Sequence, residues 1–337
     1  MNRDPSPKRG LSLTWRSQAF RGLVFQILAV ALVALGVWYL AHNTLANMQA
    51  RGIRSGFDFL TQPAGFDIGE SLIPYDAMNA YWKAFLVGIL NTLRVAIVGI
   101  VLATILGALI GIGRFSRNAI VRGICYAYVE WFRNIPVLLQ LLMFYLLFAE
   151  WLPPLLDAPS IGGVIYLSKA GLSFPVPAWT ADGFAWSIPH PEGFVMEGGV
   201  SASPEFMAVL LGLVLYTSAF IAEVVRAGLA SVPLGQLEAA ASLSLPRWKT
   251  TRLVIMPQAL RVIIPPLTSQ YLNLTKNSSL AVAIGYPDVV SVATTALNNT
   301  GRAVECIAIV MAVFLTTSLS TSALMNWYNK RAAIQER

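Results

Sequence analysis

The feature of this sequence that most constrains its fold is a series of long apolar runs. They lie at residues 22–41, 85–113, 135–149, 206–222, 253–275 and 306–327. The first run is 20 residues long and uncharged, which is enough for a helix to cross the hydrocarbon core of a bilayer. Only 12% of the 337 residues are charged, roughly half the share in a soluble globular protein. We therefore predict an all-α integral membrane protein with about six transmembrane helices.

The distribution of basic residues predicts how these helices are oriented. Six spans place both termini on one side, and the segments on that side contain seventeen lysines and arginines, against five on the other. The basic segments are 1–21, 114–133, 223–261 and 328–337, and the others are 42–83, 150–205 and 285–304. Because cytoplasmic loops carry the excess of lysine and arginine, we predict that both termini are cytoplasmic. The first run exceeds a signal-peptide apolar region and lacks a following cleavage pattern, so we expect a retained helix.

The charged and ligand-forming residues exclude several classes of function. The net charge is +7, but the basic residues track the ends of apolar runs, which is a topology signal and not a nucleic-acid surface. Cys125 and Cys306 lie far apart in or beside apolar runs, so we predict that they are unpaired. His42 and His190 have no second histidine or cysteine at ligand spacing. We therefore predict no metal site.

Two segments on the predicted outer side have distinct compositions. Segment 42–83 is expected to form short turns that lead into the second span. Segment 150–205 is rich in proline, glycine and aromatic residues and contains one lysine, Lys169, and no arginine. It predicts an irregular structure with a short hairpin around VIYLS and LSFPVP. Either segment could be a solvated connector or a docking surface for a soluble partner, and the residues alone leave both open.

The most polar ordered stretch of the chain is EAAASLSLPRWKTTRLVIMPQALR, residues 238–261. Its alanine-rich start favours a short helix, and Pro246 ends that helix and can open the next one. Arg247, Lys249 and Arg252 either face lipid headgroups or contact another protein. The composition predicts a helix, a turn, and a second helix that runs into the fifth span. We expect Pro257, Pro265 and Pro266 to break that span.

This stretch resembles the EAA loop of ATP-binding-cassette (ABC) importer permeases. It has Glu238, Ala239 and Ala240 at the start and an Ile-x-x-Pro-like exit at 254–257, with Ser244 where that family usually has glycine. In the family, the loop is a coupling helix that inserts into a groove of a cytoplasmic ATPase. The resemblance therefore implies that this chain couples to an ATPase through residues 235–252. The residues it implicates are Glu238, Ala239, Ala240, Ser244, Arg247 and Lys249.

Further segments resemble the polar-amino-acid branch of these permeases. They are GILNTLRVAIVGIVLATILGALIGIGRFS (88–116), YVEWFRNIPVLLQLLMFYLLF (128–148), YTSAFIAEVVRAGLASVPLGQLEAA (216–240) and NLTKNSSLAVAIGYPDVV (273–290). Segments 47–85 and 150–205 are similar to the larger permease subunits of general L-amino-acid and glutamate/glutamine/aspartate/asparagine importers of Gram-negative bacteria. The resemblance implies a multi-pass inner-membrane permease that carries polar L-amino acids into the cytoplasm.

The resemblance also implies a domain organisation. A permease domain at 84–328 would contain the periplasmic insertion 150–205 and the coupling segment 235–252. Before it come a cytoplasmic tail (1–21), an extra transmembrane helix (22–41) and a periplasmic segment (42–83), and after it a cytoplasmic tail (329–337).

Partners and cofactors follow from the same resemblance. The chain has no Gly-x-x-x-x-Gly-Lys-Ser/Thr loop, and none of its six lysines follows a glycine. We therefore expect that this chain is not an enzyme and binds no cofactor, and that ATP and magnesium are bound by a separate ATPase dimer. The other implied partners are a second, non-identical permease subunit and a periplasmic amino-acid-binding protein, with the lipid bilayer around them. No nucleic-acid partner is expected.

Polar residues at membrane depth are candidates for the translocation path, because they are costly unless they face a cavity or a partner. They are Asn91, Arg94, Gln140, Asn273, Thr275, Lys276, Asn277 and Ser278. For Arg94 the alternatives are extension to the headgroups or an ion pair within a permease dimer, and for 273–278 the capping of helix ends. Glu223 and Arg226, three residues apart, either join the path or pair with each other. Gly107 and Gly111 have the spacing of a close helix contact, within or between subunits.

Three other functions are less consistent with the sequence. A secondary transporter would be expected to show more spans, inverted repeats and acidic residues at mid-membrane. A membrane-embedded enzyme would need clustered histidine or acidic residues near an interface. A structural scaffold explains the apolar runs but gives no reason for the segment at 238–261.

Overall fold

The computed structural model describes residues 18–50, 52, 55–180, 183–193 and 195–332. The chain divides into two units, one ending at Gly56 and the other beginning at Phe57. The described part of the first unit is helix α1, Gln18–Ala50, which contains the predicted first span and whose apolar side chains are mostly exposed. Most of the predicted tail at 1–21 and part of that at 329–337 lie outside the described residues.

The second unit is mainly helical. A short 3-10 turn, Phe57–Thr61, precedes the first of its helices. The helices are α2 (Tyr81–Gly113), α3 (Ala119–Asn134), α4 (Val137–Trp151), α5 (Pro204–Ala230), α6 (Leu234–Ser242), α7 (Arg247–Thr250), α8 (Met256–Asn277), α9 (Val289–Thr300) and α10 (Ala303–Ala332). The pattern confirms the predicted helical class for the membrane part of the chain.

Helix α5 is the centre of this unit, because α2, α3, α4 and α8 all pack against it. Its buried face belongs to a core that also includes Val95, Leu141 and Ile263. Gly107 and Gly111 of α2 face α5 so closely that a Cβ atom on Gly107 would lie 2.7 Å from Cβ of Ile221. The predicted small-residue contact is therefore made inside the chain, where it brings two membrane helices together.

The third apolar run is part of a bent pair of helices, which the sequence analysis did not predict. Helices α3 and α4 meet at 103° across Ile135 and Pro136. Proline disfavours helical backbone in the residue before it, and Ile135 has φ −100° and ψ 129°. The bend therefore follows from a single Ile-Pro step within one apolar region.

The fifth apolar run was expected to break at its prolines, and this expectation was wrong. Helix α8 continues through Pro265 and Pro266. The break comes later, where the 3-10 turn Ser278–Ile284 ends at Gly285 in the left-handed conformation with φ +79°. Helix α9 then leaves at 50°. Glycine adopts positive φ without a steric penalty, so Gly285 and not a proline determines where the helix ends.

Among the described residues, α1, α2, α5 and α10 are each long and apolar enough to cross a bilayer. The bent pairs α3–α4 and α8–α9 raise the number to as many as six. The prediction of about six transmembrane helices is confirmed on this basis, although two of the six are broken rather than straight.

The insertion between α4 and α5 forms small antiparallel sheets, which the all-α prediction did not include. Its strands are β1 (Ser160–Ile161), β2 (Ile165–Ser168), β3 (Gly171–Phe174), β4 (Val176–Thr180), β5 (Gly183–Ser187), β6 (His190–Glu192), β7 (Val195–Glu197) and β8 (Val200–Ala202). The sheets have the orders β1-β2-β3-β8, β4-β5 and β6-β7. Strands β2 and β3 form the hairpin predicted around VIYLS and LSFPVP, with Ser168 opposite Gly171.

Cys125 and Cys306 are both free, as the sequence predicted. Cys306 is buried in a second core that includes Phe59, Tyr81 and Phe85. This core packs the start of α2 against α9, α10 and the turn at 57–61.

The close contact between α2 and α5 makes a testable prediction about stability. Gly107→Ala should lower the thermal unfolding midpoint of the purified protein in detergent, since overpacking typically costs about 1–3 kcal/mol. The matched control is Gly123→Ala in α3, where a Cβ atom meets nothing within 4 Å. That change should leave the midpoint unchanged or raise it, because alanine favours helix over glycine. A similar fall in both variants would contradict the assigned contact.

Candidate functional site

The predicted coupling segment folds as a short helix, a tight turn and a second helix. In α6, Glu238 and Ala239 are exposed, whereas Ala240 is only 3% exposed. Glu238 and Ala240 are about 200° apart around the helix, so they face opposite sides. Leu234 and Leu243, at the two ends of α6, are each 74% exposed. By helix geometry, Leu234 lies about 40° from Glu238 around the axis, whereas Leu243, the residue after α6, lies about 140° away. One surface of α6 therefore presents Glu238 beside Leu234, and Ala240 is not part of that surface.

Ser244 closes α6 in the left-handed conformation, with φ +51°. It is the one non-glycine residue with positive φ in the described part of the chain. The Ser244 amide donates to the Ala241 carbonyl at 2.8 Å, and the Leu245 amide donates to the Ala240 carbonyl at 3.1 Å. These two bonds form a Schellman C-cap, in which glycine is the usual left-handed residue. The turn is therefore tight even though serine stands where the resembling family has glycine.

The second half of the coupling segment is joined directly to the fifth span. Helix α7 begins at Arg247 after Pro246, and a π-helical turn, Thr251–Ile255, links it to α8. The residues at both junctions, Thr251 and Met256, have right-handed helical backbone. Helix α6 contacts the π-helical turn. A displacement of α6 would therefore act on the base of α8.

An ion-pair cluster lies where α2 and α5 end, before α6 begins. The Glu223 carboxylate accepts hydrogen bonds from Arg114 through one oxygen and from Arg226 through the other, the latter from two guanidinium nitrogens at 2.9 and 2.5 Å. Of the two alternatives for Glu223 and Arg226, the structure shows the pair. The sequence analysis did not predict that Arg114, at the C-terminal end of α2, shares the same carboxylate.

A second ion pair, partly buried, involves Arg94, a candidate path residue. Arg94 pairs with Glu70 of the same chain, and its guanidinium lies 4.0 Å from the centre of the Phe206 ring. The side chains of Arg94 and Glu70 are 16% and 11% exposed. The other oxygen of Glu70 accepts from the Ser203 hydroxyl, which also caps α5. The alternatives foreseen for Arg94 did not include a partner within the chain.

Asn91, one helical turn before Arg94, is fully buried and joins three parts of the chain. Its side-chain amide donates to the Glu70 carbonyl at 2.8 Å and to the Pro287 carbonyl at 2.9 Å. We refer to Glu70, Asn91, Arg94, Ser203 and Pro287 as the Glu70 cluster. It connects α2 with segment 57–80, the start of α5 and the loop before α9.

Segment 57–80 is attached at further points. Arg302 donates to both oxygens of Asp58, at 2.5 and 2.8 Å. The Tyr75 hydroxyl donates to the Phe66 carbonyl at 3.1 Å. Burial and the nearby carboxylates raise the pKa of Tyr75 above its ordinary value, so this hydroxyl keeps its proton. The Tyr75 bond closes the segment on itself. The Arg302–Asp58 pair, and the packing of Phe66 and Tyr75 against the second core, hold the segment against the helices.

Gln140, another candidate path residue, lies buried at the bend between α3 and α4. Its amide nitrogen donates to the carbonyls of Phe132 and Ile135, at 3.0 and 2.9 Å. These carbonyls lie at the end of α3, where helix bonding stops. Gln140 therefore supplies the hydrogen bonds that these carbonyls lack at the end of α3. This role explains why a polar residue lies inside an apolar run.

The residues predicted at 273–278 separate into two groups. The Thr275 and Ser278 side chains are buried and donate to the carbonyls of Tyr271 and Thr275, which agrees with a capping role. Asn273 and Asn277 line a cavity of about 290 Å³ together with Gln270 and three residues of α5, namely Tyr216, Thr217 and Phe220. Lys276 is exposed and is not part of that lining. The structure therefore brings Asn273 and Asn277 together at a cavity but places Asn91, Arg94 and Gln140 elsewhere.

Hairpin β6–β7 brings together residues that are separated in the sequence. One ligand-forming atom each from His190, Glu192 and Glu197 lie within 4.8 Å of one another, and all three residues are exposed. His190 pairs with Glu197 across the hairpin, a register that residue spacing does not reveal. The predicted absence of a metal site stays a prediction.

Comparison with known proteins agrees with this architecture. Residues 99–334 match the family described as "Binding-protein-dependent transport system inner membrane component". The chain is 42% identical to the general L-amino acid transport system permease protein AapQ of Rhizobium johnstonii, covering 99% of this chain and 98% of AapQ. It is 44% identical to the putative amino-acid ABC transporter permease protein YhdX of Escherichia coli, with 97% and 98% covered. Identity to the glutamate/glutamine/aspartate/asparagine transport system permease protein BztB of Rhodobacter capsulatus is 36%, with 99% of both covered.

Solved structures show the same fold. One is titled "Crystal structure of an amino acid ABC transporter with histidines". The match covers 74% of this chain and 95% of the chain in that structure, with a TM-score of 0.55 and 24% sequence identity. An inward-facing structure of the MetNI methionine ABC transporter matches 75% and 98% at a TM-score of 0.52 and 15% identity. The chain therefore belongs to the family of binding-protein-dependent transport system inner membrane components, as a multi-pass permease of the inner membrane and not an enzyme.

Proposed function

We propose that this permease carries polar L-amino acids from the periplasm to the cytoplasm as one of two permease subunits in an ATP-driven importer. A periplasmic binding protein delivers the substrate, and a separate ATPase dimer binds ATP and magnesium. The substrate class is supported by the three relatives above, whose names specify amino acids and whose whole length this chain matches.

The observation that carries the coupling mechanism is the exposed, capped helix α6. Its Glu238 is exposed on the same side as the exposed Leu234, on a polar stretch that precedes a membrane span. Leu234 and Glu238 together form a mixed apolar and charged surface on this nine-residue helix, of the kind that a protein partner can cover. The ATPase groove covers this surface, with Glu238 and Ala239 at the contact. Arg247 and Lys249, both exposed, meet its acidic rim, and Ala240 and Ser244 maintain the turn from within the chain.

The orientation follows from the same assignment. A coupling segment that meets a cytoplasmic ATPase places Arg247, Lys249 and the Glu223 cluster at the cytoplasmic side, in agreement with the excess of basic residues there. Both termini are then cytoplasmic, and segment 57–80 and the β insertion are periplasmic. These two periplasmic regions are the surfaces available to the binding protein.

The second permease is proposed to be a different chain. Relatives of this protein include GltJ and GltK, both named glutamate/aspartate import permease proteins, from the same Escherichia coli strain. Family members thus form importers with paired permeases. The Asn273–Asn277 cavity is the proposed part of the path that this chain contributes, because it places amide groups beside α5 at the level of the broken span α8–α9.

Glu238→Lys is expected to abolish ATP-driven uptake without preventing membrane insertion, because it reverses the one charge on the exposed face of α6. The measurement is uptake of a labelled panel of polar L-amino acids by proteoliposomes containing both permeases, the ATPase and the binding protein. The matched control is Gln236→Lys, which adds a lysine at an exposed position on another face of the same helix. Normal uptake by the Glu238→Lys complex would contradict coupling through α6, and no uptake by the unmodified complex would remove the substrate class.

Ser244→Gly is expected to stabilise the turn after α6 by about 1 kcal/mol, since glycine has no steric penalty at positive φ. Hydrogen exchange at the amides of residues 243–245, which close the turn, should slow. The control is Ser242→Gly, in the last turn of α6, where glycine disfavours the helix and exchange should become faster. Faster exchange in both variants would show that position 244 does not need glycine-like backbone freedom.

Asn277→Leu is expected to reduce the uptake rate by roughly tenfold, as the loss of one hydrogen bond to a polar solute is worth about 1–2 kcal/mol. The measurement is the same uptake assay, with ATPase activity recorded in parallel. Asn298→Leu, at an exposed position of α9, makes the same chemical change outside the cavity and should leave uptake unchanged. Equal uptake by both variants would remove this cavity from the path.

A further inference from the structure

The Glu70 carboxylate occupies a site that is complementary to a carboxylate. One of its oxygens accepts from the Arg94 guanidinium and the other from the Ser203 hydroxyl. We propose that Glu70 occupies the place of a substrate carboxylate, and that Arg94 and Ser203 bind the α-carboxylate of an incoming amino acid once Glu70 has moved away. This inference rests on the proposed function and adds to it a recognition site on the periplasmic side.

The surroundings of Arg94 favour a carboxylate as its partner. The Arg94 side chain is 16% exposed and its guanidinium lies over the Phe206 ring, and Phe206 is 7% exposed. A guanidinium withdrawn from water in this way is costly without a negative partner. A carboxylate is the partner that matches guanidinium geometry best. When Glu70 moves away from Arg94, binding of another carboxylate at the same position is therefore favourable.

A cavity adjoins this ion pair and has room for a ligand. Its volume is about 380 Å³, within the usual range for small-molecule sites. Glu70 and Ser203 form part of its wall, as do Asp67 and Glu205, and no lysine or arginine is among the described residues that line it. The cavity wall can therefore bind an ammonium group, while Arg94, the partner of the lining residue Glu70, binds a carboxylate. That combination fits the zwitterion of an α-amino acid.

The backbone around Glu70 allows its side chain to move independently. The Glu70 carbonyl is held by the Asn91 amide, and segment 57–80 is also attached through Asp58 and Arg302. Glu70 itself lies in neither a helix nor a strand. A rotation of the Glu70 side chain therefore exposes Arg94 to the cavity without detaching the segment. In the state described here, Glu70 keeps the site closed to other carboxylates.

The first test is chemical rescue of Glu70→Ala. We expect the thermal unfolding midpoint of the purified importer complex, without binding protein, to fall in this variant and to recover by at least half when sodium acetate is added. Sodium chloride at the same concentration controls for ionic strength. The matched variant is Glu205→Ala, which removes a carboxylate from the same cavity, and neither it nor the unmodified complex should respond to acetate. A purely structural role for Glu70 would lower the midpoint without selective recovery in acetate.

The second test uses a zwitterion as the probe. L-Glutamine should bind to the Glu70→Ala complex in calorimetry, and binding should be lost when Arg94→Met is added. If Glu70→Ala does not yield folded protein even in acetate, Glu70→Ser replaces it in both tests, because serine also leaves the carboxylate position empty. Equal effects of acetate and chloride, or glutamine binding that survives Arg94→Met, would overturn the proposal. Failure of the unmodified complex to take up amino acids would instead overturn the proposed function, because acetate recovery does not depend on transport.

Discussion

In a bilayer, every backbone polar group away from water has to find its hydrogen bond inside the protein. In the described part of the chain two spans are broken, and each break leaves carbonyls without helical partners. Gln140 donates to the carbonyls of Phe132 and Ile135 at the first break, and Asn91 donates to that of Pro287 at the second. Because these amides are buried, the breaks are held at fixed positions. The bent pairs α3–α4 and α8–α9 can then pack against α5 as defined elements.

The same requirement separates polar residues that complete the fold from those that face open space. Thr275 and Ser278 bond to carbonyls of their own helix, whereas Asn273 and Asn277 line a cavity. All four lie within six positions of one another, and their types are similar. They differ only in the side of the helix on which they lie. Thr275 and Ser278 are therefore structural, whereas Asn273 and Asn277 are available to a solute.

Much of the fold was predictable because lipid imposes long apolar runs, which can be counted. The helical class, about six spans, the free cysteines, the β2–β3 hairpin and the Glu223–Arg226 pair all follow from local pattern or spacing. The bend at Pro136 and the continuation of α8 through Pro265 and Pro266 were not predicted. A proline has no amide hydrogen, so its effect depends on whether neighbouring groups donate to the carbonyl that it leaves without a hydrogen bond. The pairing of Glu70 with Arg94 was not predicted for a different reason, which is the distance between them in the sequence. Arg94 is 24 positions away, and no local pattern joins a residue of an irregular segment to a membrane helix.

Two ion-pair clusters lie along α2, one near the middle of the helix at Arg94 and one just after its last residue at Arg114. Arg94 joins α2 to segment 57–80 and the start of α5, and Arg114 joins the end of α2 to the end of α5. Between them, Gly107 and Gly111 keep the same two helices in backbone contact. A rigid pair of this kind cannot bend easily in the middle. A displacement of α6 should therefore move α2 and α5 together. Arg94 would then exchange Glu70 for another carboxylate while the two helices stay in contact.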